Sequence, residues 1–452
     1  MNRFFLYHYS FVCSPYFRIF KYLHKNYKPV KTLTASAADP VLKAYDYKQL
    51  EENTKLYNPE LYQRALQKSK SPQIQNDTVG TSRKFYALND TSGTNVFYEV
   101  NAKLMIKGSL VQIWADTNEL ANNHVTTANV NTLLNALENQ TPAGSKDPAK
   151  GIIKLLTENF GSPPNKDGDN LTDFLLLDII DKKNSNAVTL GYFYSYDQTD
   201  GTFSNKRDIL YIDTNPTTVN QALPTLAHEF QHLIHYNYDK TETTFLNEGL
   251  SLYSEVFCGY PLRSPNLYFQ NTNRSLFSWD RNNVLPDYSR AGIFTQYYME
   301  QLKNKKPKIV VEDKSHADTS LSKIFQQWKG YKFNTLFSNW AVANYANSQV
   351  YDSSFGYVHP ITGKPKLKSK FDKPNITRAN LPLKNYSIEY HKIDPLKDSV
   401  KVDLHGTDIH GKIIGYPRGS PAWYDSVTTG IGHNIFSFSY DLDMCSLCRI
   451  KS

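Results

Sequence analysis

Residues 223–236, LPTLAHEFQHLIHY, and residues 244–257, TFLNEGLSLYSEVF, decide how this chain is read. In the first stretch Leu223, Leu226, Ala227, Phe230, Leu233 and Ile234 fall at helical intervals, and Pro224 is tolerable in an opening turn. HEFQH therefore lies on a helix. Residues four apart share a helix face, so the imidazoles of His228 and His232 can reach one Zn2+ at about 2.0–2.1 Å each. Glu229 is then angled toward the position they leave open. A carboxylate there can take a proton from a metal-bound water, whose pKa the cation lowers to about 7, and pass it to a leaving amine.

Two histidines and a glutamate in this spacing arise by accident in roughly one such chain in a hundred, so the pattern needs a third ligand. Catalytic zinc takes three protein ligands and one exchangeable water. After the polar loop KTETT the second stretch returns as a helix beside the first, bringing Glu248 and, two turns on, Glu255 along one face. One of the two can ligate while the other orients a histidine. We read Glu248 as the ligand and Glu255 as the carboxylate behind an imidazole, where an acceptor fixes the tautomer and raises basicity. The competing reading is an amphipathic helix with both glutamates solvated. HEFQH and NEGLS together weigh against it.

YIDTNP at 211–216, LAHEFQHLIH and FLNEGLSLYSE together resemble the hyicolysin-type neutral metallopeptidases, a branch of the gluzincins. The likeness covers roughly residues 173–302, with fainter echoes in the preceding β-rich segment and around FSNWAVAN. It implies an α+β, thermolysin-like zincin domain in which His228 and His232 match the paired histidines, Glu229 the general base and Glu248 the glutamate ligand. The gap from His232 to Glu248 is shorter than in thermolysin-type enzymes. One turn after Glu248, where an aspartate often stands in that type, this chain has Leu252, so the supporting carboxylate is sought at Glu255. Tyr288, in DYSRAGIF just before an apolar helix, is similar to the tyrosine that several gluzincin branches place opposite the metal. It would hold the developing oxyanion, with His235 as the other candidate and a merely packing tyrosine as the plain alternative.

Outward from this centre, the chain looks globular. Its 452 residues can bury a sizeable core, and 32 Tyr and 24 Phe exceed what a disordered chain carries. The net charge of +8 is scattered with no basic arm, so no nucleic-acid role is indicated. No apolar run reaches the length of about 18 residues that a spanning helix needs. Four cysteines give no disulfide framework. Cys445 and Cys448 have the spacing of half a zinc ribbon or a redox pair, but chance or a local disulfide fits them better. Asp167 and Asp169 in NKDGDN could open a calcium loop, yet the ligand pattern is incomplete and a polar hairpin turn fits better.

The expected organisation is a leader and linker over 1–80, in part a weak export signal or pro-segment. A β-rich subdomain follows over 81–170, then a zinc metallopeptidase domain over 171–385 and a β-rich segment over 386–452 whose abrupt end hints at truncation. Three strands are expected over 84–113, helices over 129–138 and 149–160, strands over 173–180, 188–197 and 208–214, and helices over 292–302 and 320–347 with Trp328 and Trp340 as core anchors. Ala35-Ser36-Ala37 would suit a signal peptidase, but the polar residues before it do not, and a misassigned start would explain the mixture. The functional expectation is an exported zinc endopeptidase whose sheet edge binds extended protein or peptide substrate. The rival is a catalytically silent surface or adhesion protein that keeps the fold. A third possibility is a metal hydrolase acting on something other than protein, which would use the same ligands.

Overall fold

The computed structural model describes residues 41–43, 47–65, 76–91, 94, 96–181, 187–350, 352–371 and 383–393, and as backbone the strands within 401–451. The leader with Cys13 and Ala35-Ser36-Ala37 lies outside the described residues, as does most of the linker. All described residues fall in one compact unit, Thr32–Ser452.

The N-terminal part gives strand β1 (Val41–Lys43) and helices α1 (Tyr47–Tyr57) and α2 (Pro59–Ala65). Next come β2 (Ser82–Asn89), β3 (Val96–Lys107) and β4 (Val111–Asp116), then helices α3 (Thr117–Ala121), α4 (Thr127–Glu138) and α5 (Ile152–Phe160). Strands β5 (Thr172–Leu177), β6 (Ala187–Thr189), β7 (Gly191–Phe193) and β8 (Ile209–Asp213) precede the long helix α6 (Val219–Tyr238) and its neighbour α7 (Thr244–Phe257). The helical part continues with α8 (Asn266–Phe269), α9 (Leu285–Leu302), α10 (Lys308–Val311), α11 (Ala317–Lys329) and α12 (Phe333–Ala346).

One six-stranded sheet organises this part, in the order β2-β3-β4-β5-β8-β7. Strands β4, β5 and β8 run parallel, and β7 closes the edge antiparallel to β8. Strands β2, β3 and β4, from the span expected as a β-rich subdomain, thus share one sheet with β5, β8 and β7 from the span expected as the peptidase domain. Period-two alternation distributes side chains to two cores. Phe174 and Leu176 point into a large core with the helices, whereas Leu175 and Leu177 join Trp114, Tyr192 and Tyr211 in a smaller one. Strand β5 is buried throughout, as a continuous apolar run on a central parallel strand should be.

Several boundaries differ from the sequence expectations. Helix α6 starts at Val219, not Leu223, because Thr218 and Gln221 form a capping box, so Pro224 lies inside the helix beyond its first turn. Helix α9 starts at Leu285 with Pro286 at its opening, which puts Tyr288 in its first turn and not before it. The expected strand 188–197 is broken into β6, β7 and a 3-10 turn, Ser195–Gln198. The region expected as helical over 320–347 divides at Gly330, whose φ of 76° ends α11. Trp340 is fully buried, but Trp328 is 44% exposed, with the Lys305 ammonium 3.2 Å from its ring centroid. It continues the stripe of Leu321, Ile324 and Phe325, but it stands in the last turn of α11, one residue before the helix ends.

The C-terminal strands β9 (Ser369–Phe371), β10 (Ser387–Ile393), β11 (Lys401–Leu404), β12 (Ile409–Pro417), β13 (Trp423–Val427), β14 (Asn434–Ser437) and β15 (Leu442–Lys451) form a sheet ordered β13-β12-β15-β10-β9 and a β11-β14 pair. Cys445 and Cys448 lie on β15. Ile388 and Tyr390 of β10 enter the large core, where the Tyr390 hydroxyl donates to the Ala341 carbonyl at 2.7 Å. Among the described residues no helix is long and apolar enough to cross a membrane.

Candidate metal centre

Helix α6 packs along β7 and β8, α7 packs on α6, and α9 packs on α7. The approach of α6 to β7 is close enough to require glycine. A Cβ on Gly191 would stand 2.8 Å from the Tyr211 carbonyl oxygen, 2.7 Å from Thr225 Cγ2 and 3.3 Å from Glu229 Cγ. This contact presses the HEFQH helix onto the sheet edge.

Because α7 returns beside α6, Glu248 arrives between the two imidazoles. His228 Nε2 is 3.2 Å from one Glu248 oxygen and His232 Nε2 is 3.6 Å from the other. Donors on neighbouring corners of a tetrahedron with bonds of about 2.0–2.1 Å stand about 3.4 Å apart, so this spacing fits a small tetrahedral cation. The rings are 4.8 Å apart and nearly perpendicular. All three side chains are buried, and among the described residues no other set of His, Cys, Asp or Glu side chains converges in this way.

The far side of each ring is also held. His228 Nδ1 donates to Glu255 Oε1 at 2.8 Å, and the same oxygen accepts from Arg263 Nη2 at 2.8 Å. His232 Nδ1 lies 2.6 Å from Asn247 Oδ1 and 3.0 Å from Ser251 Oγ, whose own hydroxyl donates to Gln231. Both rings thus spend Nδ1 on the protein and turn Nε2 to the centre, the tautomer a metal ligand needs. Asn247 passes the constraint on, its Nδ2 donating to His235 Nδ1 at 3.1 Å. Burial drives His235 down to about 3, so that ring stays neutral and can accept.

The buried groups of the centre shift one another's ionisation. Burial alone would depress His228, but its hydrogen bonds to Glu248 and Glu255 prevail and hold the ring above its ordinary value. Burial alone would raise Glu248, yet the His232 charge and the His228 hydrogen bond hold it low. Glu255 is held low against its burial, first by Arg263. Glu229 behaves oppositely. It is fully buried, the backbone amide of Phe193 on β7 is the donor that approaches it, and neither oxygen has a partner of full hydrogen-bond geometry. Burial pushes it up to about 7.

Tyr288 is buried, with Trp279 set edge-on at 4.9 Å and the Arg263 guanidinium 5.6 Å from its ring centroid. Arg263 links it to the group around Glu255. Asp167 and Asp169 do not converge. Asp167 meets the guanidinium of Arg207, while Asp169 accepts from Gln112 Nε2 at 2.9 Å and the Leu171 amide at 2.8 Å. Asn247, Ser251 and Arg263 are the contributors that sequence reading missed. Asn247 stands beside Glu248 in the NEG triplet, a signal that was available. Arg263 lies in an irregular segment after α7 and carries no local pattern.

No family model matches this chain. It is similar to the neutral metalloprotease ShpI of Staphylococcus hyicus, 25% identical over 351 residues that cover 72% of this chain and 75% of that protein. The resemblance to a neutral metalloprotease read from three short stretches therefore extends over most of the chain.

Proposed function

We propose, from that similarity and from this centre, that the chain is a zinc endopeptidase with a thermolysin-like arrangement, in which His228, His232 and Glu248 are the metal ligands and Glu229 is the general base. One observation carries the reading: the buried ligand nitrogens of His228 and His232 and the Glu248 carboxylate lie within 4.8 Å of one another beside the buried, poorly partnered carboxylate of Glu229. Zinc held there supplies a Lewis acid that acidifies a water and polarises a carbonyl.

The chain's own residues supply the rest. Glu229, pushed toward neutrality by burial, accepts a proton from the attacking water at its carboxylate and delivers it to the departing amine nitrogen. Tyr288 is the hydroxyl we assign to the developing oxyanion. Strand β7 pairs with β8 on one side, and its Phe193 amide stands next to Glu229. An extended substrate adds along this edge, main chain to main chain, a mode that suits flexible protein segments. Glu255 and Asn247 orient His228 and His232.

The test is Glu229→Gln in the full chain. Casein cleavage falls by about 10²–10⁴-fold while zinc stays stoichiometric. Undiminished cleavage by the variant, or a wild type without stoichiometric zinc, sinks the reading. A chelator-sensitive wild type that cleaves casein also disposes of the catalytically silent alternative.

A further inference from the structure

We propose that Arg263 is a positioning residue of the metal centre, fixing the His228 imidazole through Glu255 and the Tyr288 ring through its own planar face. The inference rests on the metallopeptidase reading above. A single oxygen, Glu255 Oε1, receives both His228 Nδ1 and Arg263 Nη2, each at 2.8 Å. Imidazole, carboxylate and guanidinium therefore form one chain of charge-assisted contacts, in which the carboxylate cannot swing without losing both partners. The guanidinium carbon lies 5.6 Å from the Tyr288 ring centroid. One guanidinium thus donates to the carboxylate while it lies over the aromatic ring, a pairing that a lysine ammonium reproduces poorly.

The backbone around Arg263 is itself anchored to the helix that carries Tyr288. Ser289 Oγ donates to the Ser264 carbonyl at 2.8 Å and accepts from the Tyr268 amide at 3.4 Å. Arg263 therefore couples α7, which carries the ligand and Glu255, to α9, which carries Tyr288. Among the described residues the ion-pair partners of Glu255 are His228 and Arg263. The Arg263 side chain is 26% exposed, so truncating it does not open a sealed cavity.

The experiment uses full-length protein with Arg263→Met, Glu255→Gln and the double variant. Zinc affinity is read by chelator competition, and the visible spectrum of the Co2+-substituted protein reports the ligand field. Each single substitution weakens zinc by about 10–100-fold and moves the Co2+ bands alike. The double variant is no weaker than the weaker single, within about threefold, because Arg263 acts through Glu255. The proposal is overturned if Arg263→Met binds zinc within about threefold of wild type with an unchanged spectrum. It is equally overturned if the two losses multiply. Should Arg263→Met fail to fold, Arg263→Lys carries the test, with a loss of about tenfold expected and unchanged affinity fatal. A wild type that binds no zinc removes the metallopeptidase reading as well, whereas normal zinc in wild type and variant removes Arg263 alone.

Discussion

Two clusters of buried charge sit beside the two cores of the main sheet, and they handle the same difficulty in opposite ways. Around Arg207, Asp173 lies 2.7 Å from Nε, Asp167 3.2 Å from Nε and Asp77 3.5 Å from Nη1, over the faces of Trp114 and Phe85. The cation that these carboxylates need is part of the chain. Around Glu248 the groups are also buried and also converge, but they converge on one another: two imidazole nitrogens and a carboxylate face a common point, and the nearest guanidinium, Arg263, is engaged with Glu255. Ionised groups leave water at a cost of several kcal/mol each unless paired. A cluster with its own guanidinium is complete as folded, whereas one whose donors point inward is completed by a metal. Acidic residues alone do not distinguish the two cases, and the direction of the lone pairs does.

The largest effect that tests this contrast is on metal binding. Glu248→Ala removes one of the three proposed ligands and weakens zinc by more than about 10³-fold. Metal-free and zinc-loaded wild type then differ in unfolding temperature, since a ligand that binds only the folded state stabilises it, while the variant shows no such difference. Zinc-dependent stabilisation surviving in Glu248→Ala would place the cation elsewhere and erase the comparison. Next in size is Arg207→Met. It strands Asp167 and Asp173, while Asp77 keeps Arg83 at 2.6 Å, and costs about 3–5 kcal/mol in denaturant unfolding, with zinc content unchanged. Loss of zinc in that variant, or no loss of stability, would break the distinction between the clusters.

The sequence exposes these clusters unequally. HEFQH and NEGLS are local patterns on two successive helices, so periodicity alone orients His228, His232 and Glu248 and puts Glu255 on the ligand face. The Arg207 cluster has no such signature. Its residues come from before β2, from the loop before β5, from β5 and from the turn before β8, and only strand pairing assembles them. NKDGDN invites a calcium reading because the sequence hides the guanidinium that Asp167 meets. Arg263 is hidden for the same reason, lying in an irregular segment where neither period applies. Within 188–197, β6 pairs with β1 and β7 with β8, a change of partner that local β-propensity does not register. Trp328 teaches the converse: hydrophobicity and helical spacing both put its indole on the stripe of Leu321, Ile324 and Phe325, yet in the last turn of α11 it is left 44% exposed, and local spacing does not reveal where a helix leaves the core.

A third way of burying a carboxylate completes the comparison and gives its smallest effect. Asp197 has neither a metal site nor a guanidinium, and neutral donors hold it. The Tyr211 hydroxyl donates at 2.6 Å and the Asn205 amide at 2.7 Å. Burial outweighs both and pushes Asp197 up to about 7. Because this folded-state value lies above the ordinary aspartate value of about 3.9, the folded protein binds the proton more tightly than the unfolded chain. The stabilising contribution is complete below about pH 4 and is lost as pH rises through about 7. Asp197→Asn, which cannot titrate, should remove on the order of 1–3 kcal/mol from the pH dependence of unfolding free energy across that window. Denaturant unfolding of the metal-free wild type and variant between pH 4 and 7.5 measures the difference. A wild type that gains stability relative to the variant as pH rises would mean that Tyr211 and Asn205 solvate the carboxylate as fully as a cation does.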